Sequence, residues 1–274
     1  MNKRMNTIQK TNKVSLVLGS GGARGVAHIG VIKLLKERGY EIDEIVGCSI
    51  GALVGAAYAQ NKHNDLGEWM SQLTKRQVFK LMDFTDPRFG FLKGERALNS
   101  LKQVFEDVYI EDLPIKYTAV ATDLLHECDE IFDSGSVYQA IRASIAIPAV
   151  FTGIQLADKF LVDGGLLNPI PVNYVTKKEN LVIAVNLDGP PTLIPNKSFH
   201  RLNTLALIQE SYYAMRRKLS ALSLELYKPH HVVHVPHNSA GIWDFDRSKE
   251  LLQLGYELAE QVFPTQEFIA MGQK

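Results

Sequence analysis

Three short blocks in this chain of 274 residues carry groups suited to nucleophilic chemistry. Gly47-Cys48-Ser49-Ile50-Gly51 is a Gly-x-Ser-x-Gly pentapeptide. It sits where the apolar run Glu44 to Gly47 hands over to a small-residue helical pattern from Ile50 to Gln60. A serine on so sharp a strand-to-helix turn exposes its hydroxyl, and glycines two residues either side relieve crowding. The plainer reading of Ser49 is a helix cap. Gly19-Ser20-Gly21-Gly22-Ala23-Arg24-Gly25 lies between another apolar run and another helical pattern. Dinucleotide spacing fails there because Arg24 or Ser20 occupies a required glycine position, and no Gly-Lys-Ser/Thr follows for a P-loop. Consecutive glycines at a helix start instead aim backbone N–H groups outward, as an oxyanion hole requires. Asp163-Gly164-Gly165 ends a third apolar run. Its carboxylate suits either an Asx turn or a general base whose pKa is raised by its surroundings.

Those blocks need a scaffold that brings them to one edge. Val14 to Leu18 and Leu181 to Leu187 are mostly apolar, β-branched and leucine-rich runs, as strands buried on both faces demand. Tyr117 to Ala121, Ile131-Phe132 and His231 to Val235 read as further strands, and Ile154 to Val162 as a hairpin. Helical spacing covers Gly25 to Arg38, with Gly39 closing it, then Ser136 to Ala143, Leu202 to Leu226 and Asp246 to Val262. Residues 63–107 read as mostly helical with a break at Asp86-Pro87 and Gly90, and Asp188 to Ser198 as a proline-bearing loop. The alternation is that of an α/β fold, with parallel strands presenting both glycine turns at their carboxyl ends. No repeat or boundary divides it, so residues 14–274 read as one domain behind a basic tail, 1–13.

Composition narrows the function. Lys plus Arg and Asp plus Glu are equal at 30 each, which argues against nucleic acid held by bulk charge. Two cysteines, Cys48 and Cys128, exclude a disulfide framework and a four-thiolate zinc site, as expected of a reducing compartment. No stretch reaches the roughly 20 apolar residues of a membrane span. The tail carries Lys3, Arg4, Lys10 and Lys13 without the apolar stretch of a secretory signal. A cytoplasmic location is expected, with weak peripheral contact at the inner membrane surface open to such a tail. His28 reads as a packed histidine rather than a base, and His230, His231, His234 and His237 alternate between strand faces without ligand spacing.

Together the three blocks resemble the patatin-like phospholipase family in order and context. Ala143-Ser144-Ile145-Ala146-Ile147-Pro148-Ala149-Val150-Phe151 is similar to a fourth block of that family, and the likeness runs from about Val14 to Val185. It implies a three-layer α/β/α sandwich with a mostly parallel central sheet. It also implies a Ser-Asp dyad without histidine: Ser49 as nucleophile and Asp163 as base, beside the motif glycines Gly47, Gly51, Gly164 and Gly165. Gly21 and Gly22 would supply oxyanion donors, and Arg24 matches the family's loop arginine. Ser20 departs from the all-glycine form of that loop. The implied activity is hydrolysis of a lipid or other acyl ester through an acyl-enzyme, with no cofactor, no metal and no nucleic-acid partner. Loss of activity below the dyad's pKa is expected, without an imidazole step near pH 6 to 7. The alternatives are a lipid-binding regulator or adaptor of the same fold with little turnover, and a nucleotide-binding α/β protein. The acyl donor, the oligomeric state and the role of the C-terminal histidines do not follow from sequence.

Overall fold

The computed structural model describes residues 12–85, 92–192 and 204–265. Lys3, Arg4 and Lys10, the expected break at Asp86-Pro87 and Gly90, and residues 193–198 of the proline-bearing loop lie outside them. Five strands form a parallel run: β1 (Lys13–Leu18), β2 (Glu41–Cys48), β3 (Lys116–Asp123), β7 (Leu181–Gly189) and β8 (His231–Pro236), in the order β3-β2-β1-β7-β8. The hairpin of β5 (Ile154–Leu156) and β6 (Lys159–Asp163) extends the β3 side antiparallel, and β4 (Cys128–Phe132) also pairs antiparallel with β3. The sheet is therefore mixed, with a parallel centre.

Both faces of that centre are covered, which accounts for the mostly apolar runs. Leu16 and Leu18 join a core with α1 (Ala27–Glu37), α2 (Ile50–Ala59), α6 (Val137–Ser144) and α8 (Ser248–Val262). Val17, Val46, Val120 and Ala184 point the other way, against Ile170, Val172 and Val175. The long helix α7 (Thr204–Tyr227) closes this second face through Leu224, and its Ser223 hydroxyl donates to the Ile170 carbonyl. The result is the three-layer α/β/α arrangement.

Two elements depart from the simple pattern. α7 is turned inside out: Leu207, Ile208, Met215, Leu222 and Leu226 are exposed, whereas Arg216 and Ser220 are buried. β7 runs two residues beyond the expected Leu187, so Asp188 is a buried strand residue rather than the start of a loop. Buried charge explains both departures, because Arg216 and Asp188 pair with each other.

Between α2 and β3 the chain forms three short helices, α3 (His63–Ser71), α4 (Lys75–Leu81) and α5 (Glu95–Leu101). Thr74 starts α4 with a reciprocal cap: its Oγ accepts the Gln77 N–H while Gln77 Oε1 accepts the Thr74 N–H. The buried residues Met70, Val78 and Leu101 of these helices face inward over the end of β2 and form a roof.

Candidate active site

β3 acts as a ruler for the Ser49 and Asp163 blocks. Its Val120 pairs with Cys48, the residue before Ser49, and the next residue, Ala121, pairs with Asp163. Two blocks 114 residues apart in sequence thus arrive side by side. Ser49 sits between β2 and α2 at φ 57° and ψ −124°, a left-handed backbone that a non-glycine residue adopts only under constraint. The flanking glycines permit the turn. A Cβ on Gly47 would stand 2.6 Å from the Ala52 nitrogen, and one on Gly51 would stand 2.1 Å from the Leu18 carbonyl oxygen. Ser144, from the fourth block, locks the backbone from behind. Its Oγ accepts the Ser49 N–H at 2.7 Å and donates to the Val120 carbonyl at 2.6 Å.

The Ser49 hydroxyl donates to Asp163 Oδ2 at 2.5 Å, and both side chains are buried. The other carboxylate oxygen accepts the Gly165 N–H at 2.7 Å. The Asx turn and the contact with Ser49 therefore coexist, one on each oxygen. Burial pushes the Asp163 carboxyl up from 3.8 to about 6, against the opposing effects of the Ser49 hydroxyl, the Gly165 N–H and the Arg216 charge. It is ionised at neutral pH and basic enough to accept a proton. Among the described residues, the hydrogen bonds of Ser49 Oγ and of the Asp163 side chain involve no histidine. With the carboxyl raised to about 6, an acid limb set by Asp163 falls near the imidazole range, so curve shape alone does not separate Asp163 from a histidine.

The glycine loop is pinned at several points. Gly19 and Ser20 donate to the Val185 and Pro169 carbonyls, Ala23 donates to the Ile242 carbonyl, and His28 Nε2 bonds the Gly19 carbonyl. His28 is fully buried, and burial lowers its pKa to about 4, so it is a neutral packed residue. Between the pins, the N–H groups of Gly21 and Gly22 have no acceptor among the described residues. Gly22, at φ +58°, lines the same cleft as Ser49. These are the loop's free donors.

Arg24 does not join them. Its guanidinium is buried and directed at the carbonyls of Gly21, Leu187 and His237, with Asp188 at 3.6 Å. The expected place for Arg24 in an oxyanion hole is therefore corrected. Its Nε and Nη1 donors are taken by these carbonyls, and it braces the loop rather than lining the cleft of Ser49.

Sequence reasoning missed the charge cluster behind this loop. Arg216 of α7 makes a two-pronged pair with Asp188, Nε to Oδ2 at 3.0 Å and Nη2 to Oδ1 at 2.6 Å, and Ser220 donates to the same carboxylate. Arg216 also reaches the Ser20 hydroxyl at 3.5 Å. Burial opposes its charge, but Asp188 outweighs burial and raises its pKa. Arg24 is lowered to about 10 by burial and by Arg216, with Asp188 pulling it back, and stays charged. Two cations and one anion leave net positive charge under the loop, next to Asp163. The available signal was a lone arginine on the stripe of α7 that also carries Tyr212, Tyr213 and Ser220.

In front of Ser49 opens a cleft of about 900 Å³, partly open to solvent. The roof helices supply Met70, Val78 and Leu101, and the opposite wall holds Ile145, Phe151 and Trp243. Among its described lining residues the only hydroxyl is that of Ser49, and none is charged. Cys48, its neighbour, is buried, and burial raises its thiol pKa well above the usual range, which suppresses the thiolate. The four C-terminal histidines are dispersed: the Nδ1 atoms of His230, His234 and His237 bond the Val182 N–H, the Asn186 amide and the Gly189 carbonyl. No described helix is long and apolar enough to cross a membrane.

Comparison with known proteins places this geometry in context. Residues 16–176, more than half of the chain, match the model of the patatin-like phospholipases. An uncharacterised NTE family protein of Mycobacterium tuberculosis is 45% identical over 178 residues, covering 65% of this chain and 49% of that protein. The neuropathy target esterase sws of Drosophila melanogaster is 35% identical over 173 residues, covering 60% of this chain and 12% of that much longer protein. VipD of Legionella pneumophila, a solved structure, covers 91% of this chain and 66% of its own at 14% identity and a TM-score of 0.49. The chain thus spans about half the length of the mycobacterial relatives it matches.

Proposed function

The chain belongs to the patatin-like phospholipase family, and from that premise we propose that it is a serine esterase cleaving fatty-acyl esters through Ser49 and Asp163. The observation that carries the reading is the 2.5 Å contact of Ser49 Oγ with a buried, pKa-raised carboxylate at the wall of an uncharged apolar cleft. The hydroxyl proton passes to Asp163 as Oγ attacks the ester carbonyl carbon. The carbonyl π pair becomes an oxyanion facing the free N–H groups of Gly21 and Gly22, where one donor is worth roughly 3 kcal/mol. Collapse breaks the ester C–O bond, Asp163 returns the proton to the departing alcohol, and an acyl-Ser49 remains. Water, deprotonated by Asp163, then releases the fatty acid.

The apolar cleft holds the acyl chain. Hydrocarbon buried there gains about 0.8 kcal/mol per CH₂, so longer chains should be preferred until the cleft is full. The polar work is confined to one end, as in ligand sites that are apolar apart from a few placed groups.

The test is hydrolysis of 4-nitrophenyl esters of increasing acyl length. kcat/KM should rise with chain length in the native protein and fall at least about 10³-fold in Ser49→Ala and Asp163→Asn. Unchanged turnover in Ser49→Ala refutes the proposal. Folded native protein that binds long-chain esters without hydrolysing them would favour the lipid-binding regulator instead.

A further inference from the structure

At the β8 edge of the sheet, β7, β8 and α7 enclose a pocket of about 1030 Å³ that opens to solvent. It shares no lining residue with the cleft of Ser49. Alternation along β8 decides what faces it. Val233 and Val235 turn to the core under α8, so Val232 and His234 turn to the other face, where α7 lies. The strand register sets His234 opposite Asn186 of β7. Asp188, two residues further along β7, lines the same pocket and is buried. Two of the C-terminal histidines, His234 and His237, thus meet here.

Hydrogen bonds fix the walls and, with them, the free donors. The His237 N–H donates to the Gly189 carbonyl at 3.1 Å. Asn238 ties Thr192 in both directions, its Oδ1 accepting the Thr192 N–H and its Nδ2 donating to the Thr192 carbonyl, each at 3.1 Å. Pro190 and Pro191 between these ties form a stiff rim. Asn186 Oδ1 accepts the Asp188 N–H at 2.9 Å, so the Asn186 amide nitrogen is the group that donates to His234 Nδ1 at 3.1 Å. That bond leaves the proton of the neutral His234 ring on Nε2, as a donor with no partner among the described residues.

Arg217 of α7 lines the pocket too. Unlike Arg216 beside it, Arg217 makes no hydrogen bond or ion pair with a described residue. The carboxylates nearby do not cancel it. Asp188 is already held by Arg216 at 2.6 Å and Arg24 at 3.6 Å, and Glu225 is an exposed lining residue. Arg24, Arg216 and Arg217 against Asp188 and Glu225 leave one positive charge. A guanidinium with unspent donors and an imidazole N–H in one walled pocket suit an oxyanion, which accepts from both. We propose that this pocket is a second binding site, for a small oxyanion (a phosphate or carboxylate group), held by Arg217 and His234. The site stands apart from the Ser49–Asp163 esterase reading and holds or fails without it.

Isothermal titration of the purified full chain tests the assignment, with inorganic phosphate in one arm and acetate in the other. Both are run at about pH 7.5 and at constant ionic strength set with sodium chloride. At least one anion should bind saturably below about 10 mM, phosphate the tighter if the site suits a phosphate group and acetate the tighter if it suits a carboxylate. Arg217→Gln should weaken binding about tenfold, and His234→Ala, at an exposed position, about threefold. Glu225→Gln removes an opposing charge and should tighten binding severalfold. The His234 imidazole proton resonance, identified by its loss in His234→Ala, should move along the same isotherm. No saturable binding of either anion overturns the proposal. So does binding unchanged within about twofold in both Arg217→Gln and His234→Ala, or a Glu225→Gln variant that binds more weakly.

Discussion

Asp163→Asn should abolish turnover and make the protein more stable. The carboxyl is 1% exposed, and burial lifts its pKa from 3.8 to about 6. That displacement corresponds to about 3 kcal/mol by which ionised Asp163 opposes folding at neutral pH. Asparagine has the same shape: its Oδ1 can accept the Gly165 N–H and its Nδ2 can donate to Ser49 Oγ. The amide is itself polar and buried, so part of the gain is lost, and about 1–2 kcal/mol should remain. For a chain of this length that is roughly 2–8 °C in Tm. The pH dependence identifies the cause. Between about pH 4 and 6 the native carboxyl keeps its proton while the unfolded one has lost it, so native stability falls as pH rises through this window. Below it the native protein carries a neutral Asp163 and the advantage of asparagine should shrink. Thermal unfolding of both proteins at about pH 8 and about pH 4 reads this directly. A variant no more stable at the higher pH, or a gain independent of pH, refutes the reasoning.

The same carboxyl sets the activity profile. kcat/KM should rise with pH through about 6 as Asp163 ionises, and Asn at His126 or His234 should leave the midpoint in place. A midpoint abolished by one histidine substitution would contradict this. Arg216→Gln leaves buried Asp188 with Arg24 at 3.6 Å as its remaining cation, so stability should fall by about 3 kcal/mol in denaturant titration. Because Arg216 also holds the Asp163 pKa down, the acid limb of the variant should move to higher pH. Ser144→Ala strands the Ser49 N–H inside the protein, costing about 1–3 kcal/mol and lowering kcat more than it raises KM. An unaltered kcat there would show that the elbow needs no support from behind.

The blocks were legible wherever one residue type answers one local demand. Glycines at 47 and 51 mark a turn whose neighbours leave no room for a Cβ, and the apolar runs of β1 and β7 mark strands covered on both faces. Asp163 was legible as a carboxylate at a strand end, with Ser49 as its partner supplied by resemblance rather than by spacing. What stayed hidden depends on distant pairing. Arg24 reads as a loop cation or as a carboxylate's partner; Asp188 at 3.6 Å fits the second, but its carbonyl acceptors, on Leu187 and His237, lie 163 and 213 residues away. Asp188 looked like a loop residue because the arginine that buries it is 28 residues further on and on a helix. α7 reads as a tyrosine- and leucine-rich helix facing the core, a partner or acyl chains, yet Leu207, Leu222 and Leu226 face outward, and its inward polar stripe of Arg216 and Ser220 carries no apolar signal. Ser144 lies in the fourth block, yet a hydroxyl shows its role only when both of its bonds are visible.

In the proposed mechanism Ser49, and not its neighbour Cys48, is the nucleophile, and Asp163 activates it. A fluorophosphonate probe with mass-spectrometric mapping of the adduct tests this most directly. One adduct is expected on Ser49, retained in Cys48→Ala, absent in Ser49→Ala and formed far more slowly in Asp163→Asn. Labelling that survives Ser49→Ala, or an unlabelled but folded native protein, would contradict it.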